Sequence, residues 1–303
     1  MRTLVLNGNN IIPDGQNNKL RYRFPNSVQF KDTYVSVQSI TMFYSWYNIS
    51  ASKGNNTFSF TFTSPAGGAI QFYTVVIPDG IYDIVTLDEY LQFYCLANGL
   101  YMKTSVGQNV FFLSFAINAS AYGVQICCYT VPSSADNTKG YIPSSTGFPN
   151  ASFLPQITIP ANFNKIVGYP AGWTSANFIG APSSSGFYNL VPYTWNATTG
   201  VVGYLSSQAP QVNPDASIYL SLTSINNPYS LPSSIIYAIT PSTGIGGVII
   251  DKPPQFCWNK FIDGTYNQLD LQILGSDLQP ITIYDPTMTI LLAIKDSDEW
   301  GGK

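Results

Sequence analysis

The chain has 303 residues, of which 45% are hydrophobic, 15% aromatic and only 10% charged, with a net charge of −3 and no histidine. The aromatic content excludes a disordered chain, no apolar run reaches the ~18 residues of a spanning helix, and no basic run is present to neutralise phosphates, so no specific nucleic-acid partner is expected. Without histidine, Ser-His-Asp and Cys-His catalysis in their usual forms and His-ligated metal sites are excluded.

The apolar stretch at Met1–Leu6 is too short for a secretory signal, so the protein is expected to stay inside a cell unless it leaves within a particle. The pattern that follows is mainly period 2, that of half-buried strands. A strand is expected at Val35–Trp46, with a bulge near Ser39-Ile40, where the apolar phase passes from Val35 and Val37 to Ile40, Met42 and Tyr44. Phe58–Thr63 alternates strictly, and Ile70–Ile77 follows. One helix stands out: Thr86-Leu87-Asp88-Glu89 reads as a capping box with Thr86 as N-cap, and Val85 and Tyr90 sit at staple positions. Leu87, Leu91, Tyr94 and Cys95 form the apolar stripe, and Asn98-Gly99 closes the helix. Val110 to Val131 reads as a hairpin that turns at Asn118–Ala121, with Phe111, Leu113, Phe115 and Ile117 on one face of its first arm. Tyr122, Val124, Ile126 and Cys128 share a face of its second arm.

From about 132 to 214 the chain is dense in Ser, Gly, Pro and Asn, too long for one simple loop, and reads as a loop-rich insertion or subdomain. Within it Ile157–Ile159 is a strand, and aromatics such as Trp173, Tyr193 and Trp195 are expected to pack. Further strands are expected at Ser217–Ile225, Ser234–Thr240 and Thr287–Ile294. A second hairpin is expected from Phe256–Ile262 and Tyr266–Leu274 about the Asp263-Gly264 turn, with Leu269, Leu271 and Ile273 facing in. Many strands, long connections and one helix define a Greek-key sandwich, of which the jelly roll is one form.

Residues that carry chemistry are few. Cys95, Cys127, Cys128 and Cys257 read as buried, reduced thiols, with Cys127 and Cys128 pointing to opposite faces of one strand. Asp263, Asp270, Asp277 and Asp285 are the carboxylates close enough in sequence to serve a glycosidase, but they read as turn residues and strand exits. Glu89 is assigned to the helix cap. Asp296-Ser297-Asp298-Glu299 lacks the glycine of a calcium loop and reads as a solvated tail. Gly244-Ile245-Gly246-Gly247 lacks the Lys-Ser/Thr of a phosphate loop. The sequons at Asn48, Asn55, Asn118, Asn150 and Asn196 are those that chance gives a chain so rich in Asn, Ser and Thr. No catalytic, cofactor-binding or metal-binding residue is assigned, and no cofactor is expected.

Ser39-Ile40-Thr41-Met42-Phe43-Tyr44-Ser45-Trp46-Tyr47-Asn48-Ile49 is similar to a segment of the penton, or minor capsid, proteins of the virophage and Polinton group, with their Ser-Ile-x-x-x-x-Ser-Trp-x-Asn-Ile pattern. Tyr47 stands where those proteins often have proline. Tyr82–Gly99 resembles the helix that follows in that family. Pro155–Pro160 with Phe163, Ile166 and Gly168, then Asn226–Ser230 and Asp285-Pro286, resemble further segments in the family's order. The likeness is greatest to Mavirus-like members, runs from about residue 32 to 295, and is poor across 173–207. It implies a non-enzymatic single jelly-roll β-sandwich, all-β, with one short helix, as one domain over 1–303. It further implies a homopentamer at each vertex of an icosahedral virion, assembled in the host cytoplasm beside trimers of a double jelly-roll major capsid protein. A fibre or lectin-like glycan-binding module is the alternative reading, and a jelly-roll hydrolase a third.

Overall fold

The structure is a computed structural model that describes residues 1–135, 141–144, 146–176, 201–213 and 215–297. It is an all-β protein that divides into two compact units, Met1–Tyr47 with Asp215–Lys303, and Asn48–Pro214. The stretch at 132–214 falls in the second unit together with the residues from Asn48 onward.

The strands of the first unit are numbered β1 (Arg2–Leu6), β2 (Lys19–Phe30), β3 (Thr33–Phe43), β4 (Ile218–Leu222), β5 (Ile235–Ile239), β6 (Val248–Asp251), β7 (Gly264–Leu274) and β8 (Thr289–Asp296). One sheet has the order β1-β8-β3-β6 and the other β5-β4-β7-β2, and every pairing is antiparallel. First pairs with eighth, second with seventh, third with sixth and fourth with fifth. That nesting is a long hairpin rolled into two facing sheets, which is a jelly roll. Leu4, Val35, Val37, Ile40, Met42, Ile290 and Leu292 from one sheet meet Leu20, Leu220, Leu269, Leu271 and Ile273 from the other in one buried core.

The phase change in β3 is a bulge, as its apolar spacing requires. Ser39 stands opposite Leu291 and Val37 opposite Leu292, so Gln38 is the extra residue. The hairpin expected about Asp263-Gly264 does not form. β7 pairs with β2 and β4, and of the preceding run only Asn259–Lys260 is a strand, paired to β3. The dipeptide lies where the chain passes from the sheet that holds β3, to which Asn259–Lys260 pairs, to the sheet that holds β7.

In the second unit Thr57–Thr63 lies between Ile70–Val76 and Ile157–Ile159, with Trp173–Thr174 beyond. A second sheet is formed by Leu113–Asn118, Gly123–Tyr129 and Val201–Leu205, and a third by Met102–Thr104, Asn109–Val110 and Tyr141–Pro143. The turn at Asn118–Ala121 forms as expected, with the Asn118 side chain accepting from the Ala121 amide. Ile117 and Tyr122, grouped with the apolar faces of the two arms, are exposed; Tyr122 leaves the strand in a left-handed conformation at the turn. Both faces of Gly123–Tyr129 are buried, so Cys127 and Cys128 are both core residues.

There are two short helices among the described residues, α1 (Ile84–Ala97) and α2 (Phe163–Val167), where one was expected. In α1 Leu87, Leu91 and Cys95 face the core as their spacing requires. Its cap is three residues earlier than the Thr-x-x-Glu pattern indicates. Asp83 is the N-cap: its carboxylate accepts from the Thr86 amide at 2.8 Å, and the Asp83 amide donates to the Thr86 hydroxyl at 2.9 Å. Glu89 takes no part in that box, and Val85 is exposed rather than stapled.

The Thr86 amide and then its hydroxyl hold the Asp83 carboxyl below its ordinary value. A carboxylate depressed on folding stabilises above the ordinary pKa near 4 and loses that contribution as pH falls through the folded value. Asp83→Ala is therefore expected to cost about 1 kcal/mol at pH 7. The difference should shrink below pH 4, measured by denaturant titration of both proteins at pH 7 and pH 3. An undiminished difference at pH 3 would refute the charged cap.

Candidate interaction surfaces

The four aspartates weighed for a hydrolase are each engaged in the fold. Asp270 on β7 makes a two-pronged pair with Arg21 on β2, at 2.7 and 3.0 Å. Asp285 is buried and accepts from the Phe43 amide and from the Thr287 amide and hydroxyl, each at 2.7 Å. Asp263 accepts from the Asp32 amide, with Lys260 bridging to both carboxylates, and Asp277 accepts from the Gln279 amide. Asp296 pairs with Arg2 and accepts from the Thr33 hydroxyl; Asp298 and Glu299 lie outside the described residues. Gly244–Gly247 is a tight turn tied to Tyr44 by two backbone hydrogen bonds.

Trp173 lies between Tyr169 and Tyr204, tilted against the first and edge-on to the second with ring centroids 4.5 and 5.4 Å away, against the core of the second unit. Tyr193 and Trp195 lie outside the described residues. In the Ser39–Ile49 segment Ile40, Met42, Tyr44, Trp46 and Ile49 are all buried, so its spacing encodes packing.

The thiols divide three to one. Cys95, Cys127 and Cys128 are buried and Cys257 is exposed, contrary to the expectation of four buried thiols, and none forms a disulfide. Burial pushes Cys95 and Cys127 up to about 12 and raises Cys128 further. Thiolate is the reactive form. Brief alkylation of the dilute native protein at pH 8 should therefore label Cys257 alone, and alkylation after unfolding without reductant should label four thiols by intact mass. Two or more labels on the native protein would contradict the buried placement.

The two units treat their sheet edges differently. In the second unit α1 closes two of them. The Tyr90 and Tyr94 hydroxyls donate to the Val76 and Thr74 carbonyls of edge strand Ile70–Val76, at 2.8 and 3.0 Å. On the other side of the helix, buried Asp88 accepts from the Phe115 amide of edge strand Leu113–Asn118 at 2.7 Å. Each backbone group so bonded is one that another strand cannot pair with. Phe72 and Phe93 stand exposed on that strand and helix.

In the first unit, among the described residues, no α-helix covers an edge, and the Lys19–Arg21 end of β2 is bonded from outside by Asn10 and Ile12, after the 3-10 turn Gly8–Asn10. β1 and β6 border one sheet and β2 and β5 the other. Between β1 and β2 the sandwich gapes into an apolar cleft of about 350 Å³. At the other flank Phe43, Val248, Ile250 and Phe256 are exposed. These flanks present large apolar side chains, of the kind enriched in interface cores, beside charges of which Arg2 and Arg21 are paired within the chain.

An eight-stranded jelly roll with open flanks and a second β-rich unit inserted between its third and fourth strands is the class of protein these observations define. No family model matches the sequence, and no curated protein is similar to it. Among solved structures the mavirus penton protein aligns over 97% of this chain and 98% of its own, at 10% identity and a TM-score of 0.44. A chain of the Sputnik virophage structure aligns over 100% of both chains, at 11% identity and a TM-score of 0.41.

Proposed function

We propose that this protein is a structural capsid component, the penton protein that closes the five-fold vertices of an icosahedral virion. The observation that carries this reading is the jelly roll with uncovered flanks, in a chain whose buried Ser39–Ile49 segment resembles that family. In this reading the jelly roll is the capsid module and the 48–214 unit its insertion. Five copies form the ring, trimers of a double jelly-roll major capsid protein surround it, and assembly takes place in the host cytoplasm. Function lies in surfaces and no residue is catalytic.

A five-membered ring needs a heterologous contact, in which one flank meets a different flank of the next copy. Each flank should bury about 800 Å² to hold without the rest of the capsid. With only 29 charged residues in 303, 13 basic and 16 acidic, the contact should tolerate salt. Light scattering after size exclusion should give a mass near five chains at both low salt and 1 M salt. A monomer at tens of micromolar would remove the ring, and a stable trimer would favour a fibre or lectin.

A further inference from the structure

The two open flanks of the jelly roll carry unlike features at the same position along the strands. On one flank the cleft is walled by Leu4 and Val5 of β1, by Tyr22, Phe24 and Val28 of β2, and by Ile294 of β8. It gapes because β2 leaves its partner there: Val28 pairs with Tyr266 and Arg23 with Gln268, so Phe24–Ser27 stand against Asn267 alone. A cavity of about 150 Å³ accepts one benzene ring. The cleft, at about 350 Å³, has room for an aromatic side chain and its neighbours.

On the opposite flank the register fixes what stands level with that cleft. Arg2 pairs with Ile294, Ile294 with Val35 and Val35 with Asn259. At the other end of β1, Leu6 pairs with Ile290, Ile290 with Ile40 and Ile40 with Asp251. The two rows that bound β1 thus end on Asp251 and Asn259, and residues 252–258 between them leave the sheet as a loop. Trp258 anchors this loop, its ring under the Lys295 ammonium at 4.4 Å from the centroid. Phe256, 43% exposed, and Cys257, also exposed, are presented outward.

We propose that the 252–258 loop of one copy seats Phe256 in the β1–β2 cleft of the next copy of this chain. A ring whose axis runs along the strands brings opposite flanks together at equal height, and the cleft and the loop satisfy that condition. A two-fold pair through one flank would set cleft against cleft and leave both empty. The charges agree: Arg2 and Arg21 are held by Asp296 and Asp270, which leaves Arg23 without an ion pair among the described residues. Asp251 and Lys252 on the loop flank have no ion pair among the described residues either; the Asp251 carboxylate, which accepts from the Tyr237 hydroxyl, is the one that Arg23 can meet. The cleft and one aromatic residue cover only part of the ~800 Å² a stable flank needs, so Phe256 acts as the anchor of a wider, charge-poor contact.

This inference rests on the ring reading, and its test separates the two. Thr3→Cys and Val5→Cys each place a thiol on the cleft wall, beside native Cys257 of the neighbour. Under a mild oxidant at least one should give a ladder of covalent oligomers on a non-reducing gel, abolished by adding Cys257→Ser. Raising the protein concentration through assembly should slow Cys257 alkylation at least tenfold. Phe256→Ser should weaken assembly at least tenfold while the dilute monomer, which loses only the ring contact to Trp258, still unfolds cooperatively. A five-chain mass with no ladder from either cysteine, and Cys257 alkylation unchanged by assembly, would overturn the Phe256 contact and leave the ring standing. A monomer throughout would remove both.

Discussion

Gly168→Ala is expected to destabilise the second unit by more than 3 kcal/mol, far beyond an ordinary glycine substitution. Gly168 ends α2 with φ at 76°, a conformation that costs an L-residue about 1–2 kcal/mol. A Cβ there would also lie 2.2 Å from the Gln208 carbonyl oxygen, closer than any non-bonded pair can approach. The obstacle is backbone, and it cannot rotate away: the Gln208 amide donates to the Gly168 carbonyl at 3.1 Å. Gly172 supplies the control. Its φ is 71°, but nothing stands within 4 Å of its Cβ position. Gly172→Ala should cost only the conformational part, about 1–2 kcal/mol. Denaturant titration of both variants separates strain from overlap, and equal losses would refute the close approach. Each unit has its own core, so the Gly168 loss should appear in one of two unfolding transitions.

Asp88→Ala is expected to cost about 2–3 kcal/mol. Its carboxylate is buried, accepting from the Phe115 amide at 2.7 Å and from the Gln92 side chain at 2.6 Å. Truncation leaves a strand amide without an acceptor inside the protein, and an unsatisfied buried group costs about 1–3 kcal/mol, more when the lost partner was charged. Asp88→Asn keeps an oxygen at the same place, and Gln92 can turn its own oxygen toward the new amide. The asparagine variant should lose less than half of what the alanine variant loses. If both lose the same, the bond to Phe115 is not what holds α1 to that strand.

Much of the fold could be read locally, where one face of an element is buried and its period is intact. Leu269, Leu271 and Ile273 alternate and all point inward, and the slip from Val37 to Ile40 marked its bulge within two residues. β2 was missed because it is an edge strand. Its solvent face carries Arg21 and Arg23, and Pro25 sits in the stretch where pairing lapses, a placement that only an edge permits. The helix starts three residues before the Thr86-x-x-Glu89 pattern because Asp83-x-x-Thr86 overlaps it, and β-branched Ile84 and Val85 carry little helix propensity to mark the first turn. Asp263-Gly264 misled for a different reason: a turn dipeptide reports its own conformation but not the partners of the runs beside it. The uncovered flanks were not legible at all, since an edge is defined by the strand that is missing from it. Cys257 gave no signal of its exposure, because it lies between Phe256 and Trp258, whose apolar side chains suggest a core.

The position of the inserted unit sets an order of folding. β1 must find β8, with Arg2 opposite Ile294, so the jelly roll closes only when nearly all the chain is available. The 48–214 unit is continuous in sequence and can fold while the rest is still being synthesised. When it does, its ends are drawn together, the Asn48 side-chain amide donating to the Val212 carbonyl at 2.5 Å. That more than halves the loop that β1 and β8 must close. Each halving lowers the entropic cost by about 0.6 kcal/mol. The inserted unit thereby acts as an internal tether that brings together the early and late strands of the jelly roll. Cutting the chain inside 48–214 should slow closure of the jelly roll even where every one of its own residues is intact.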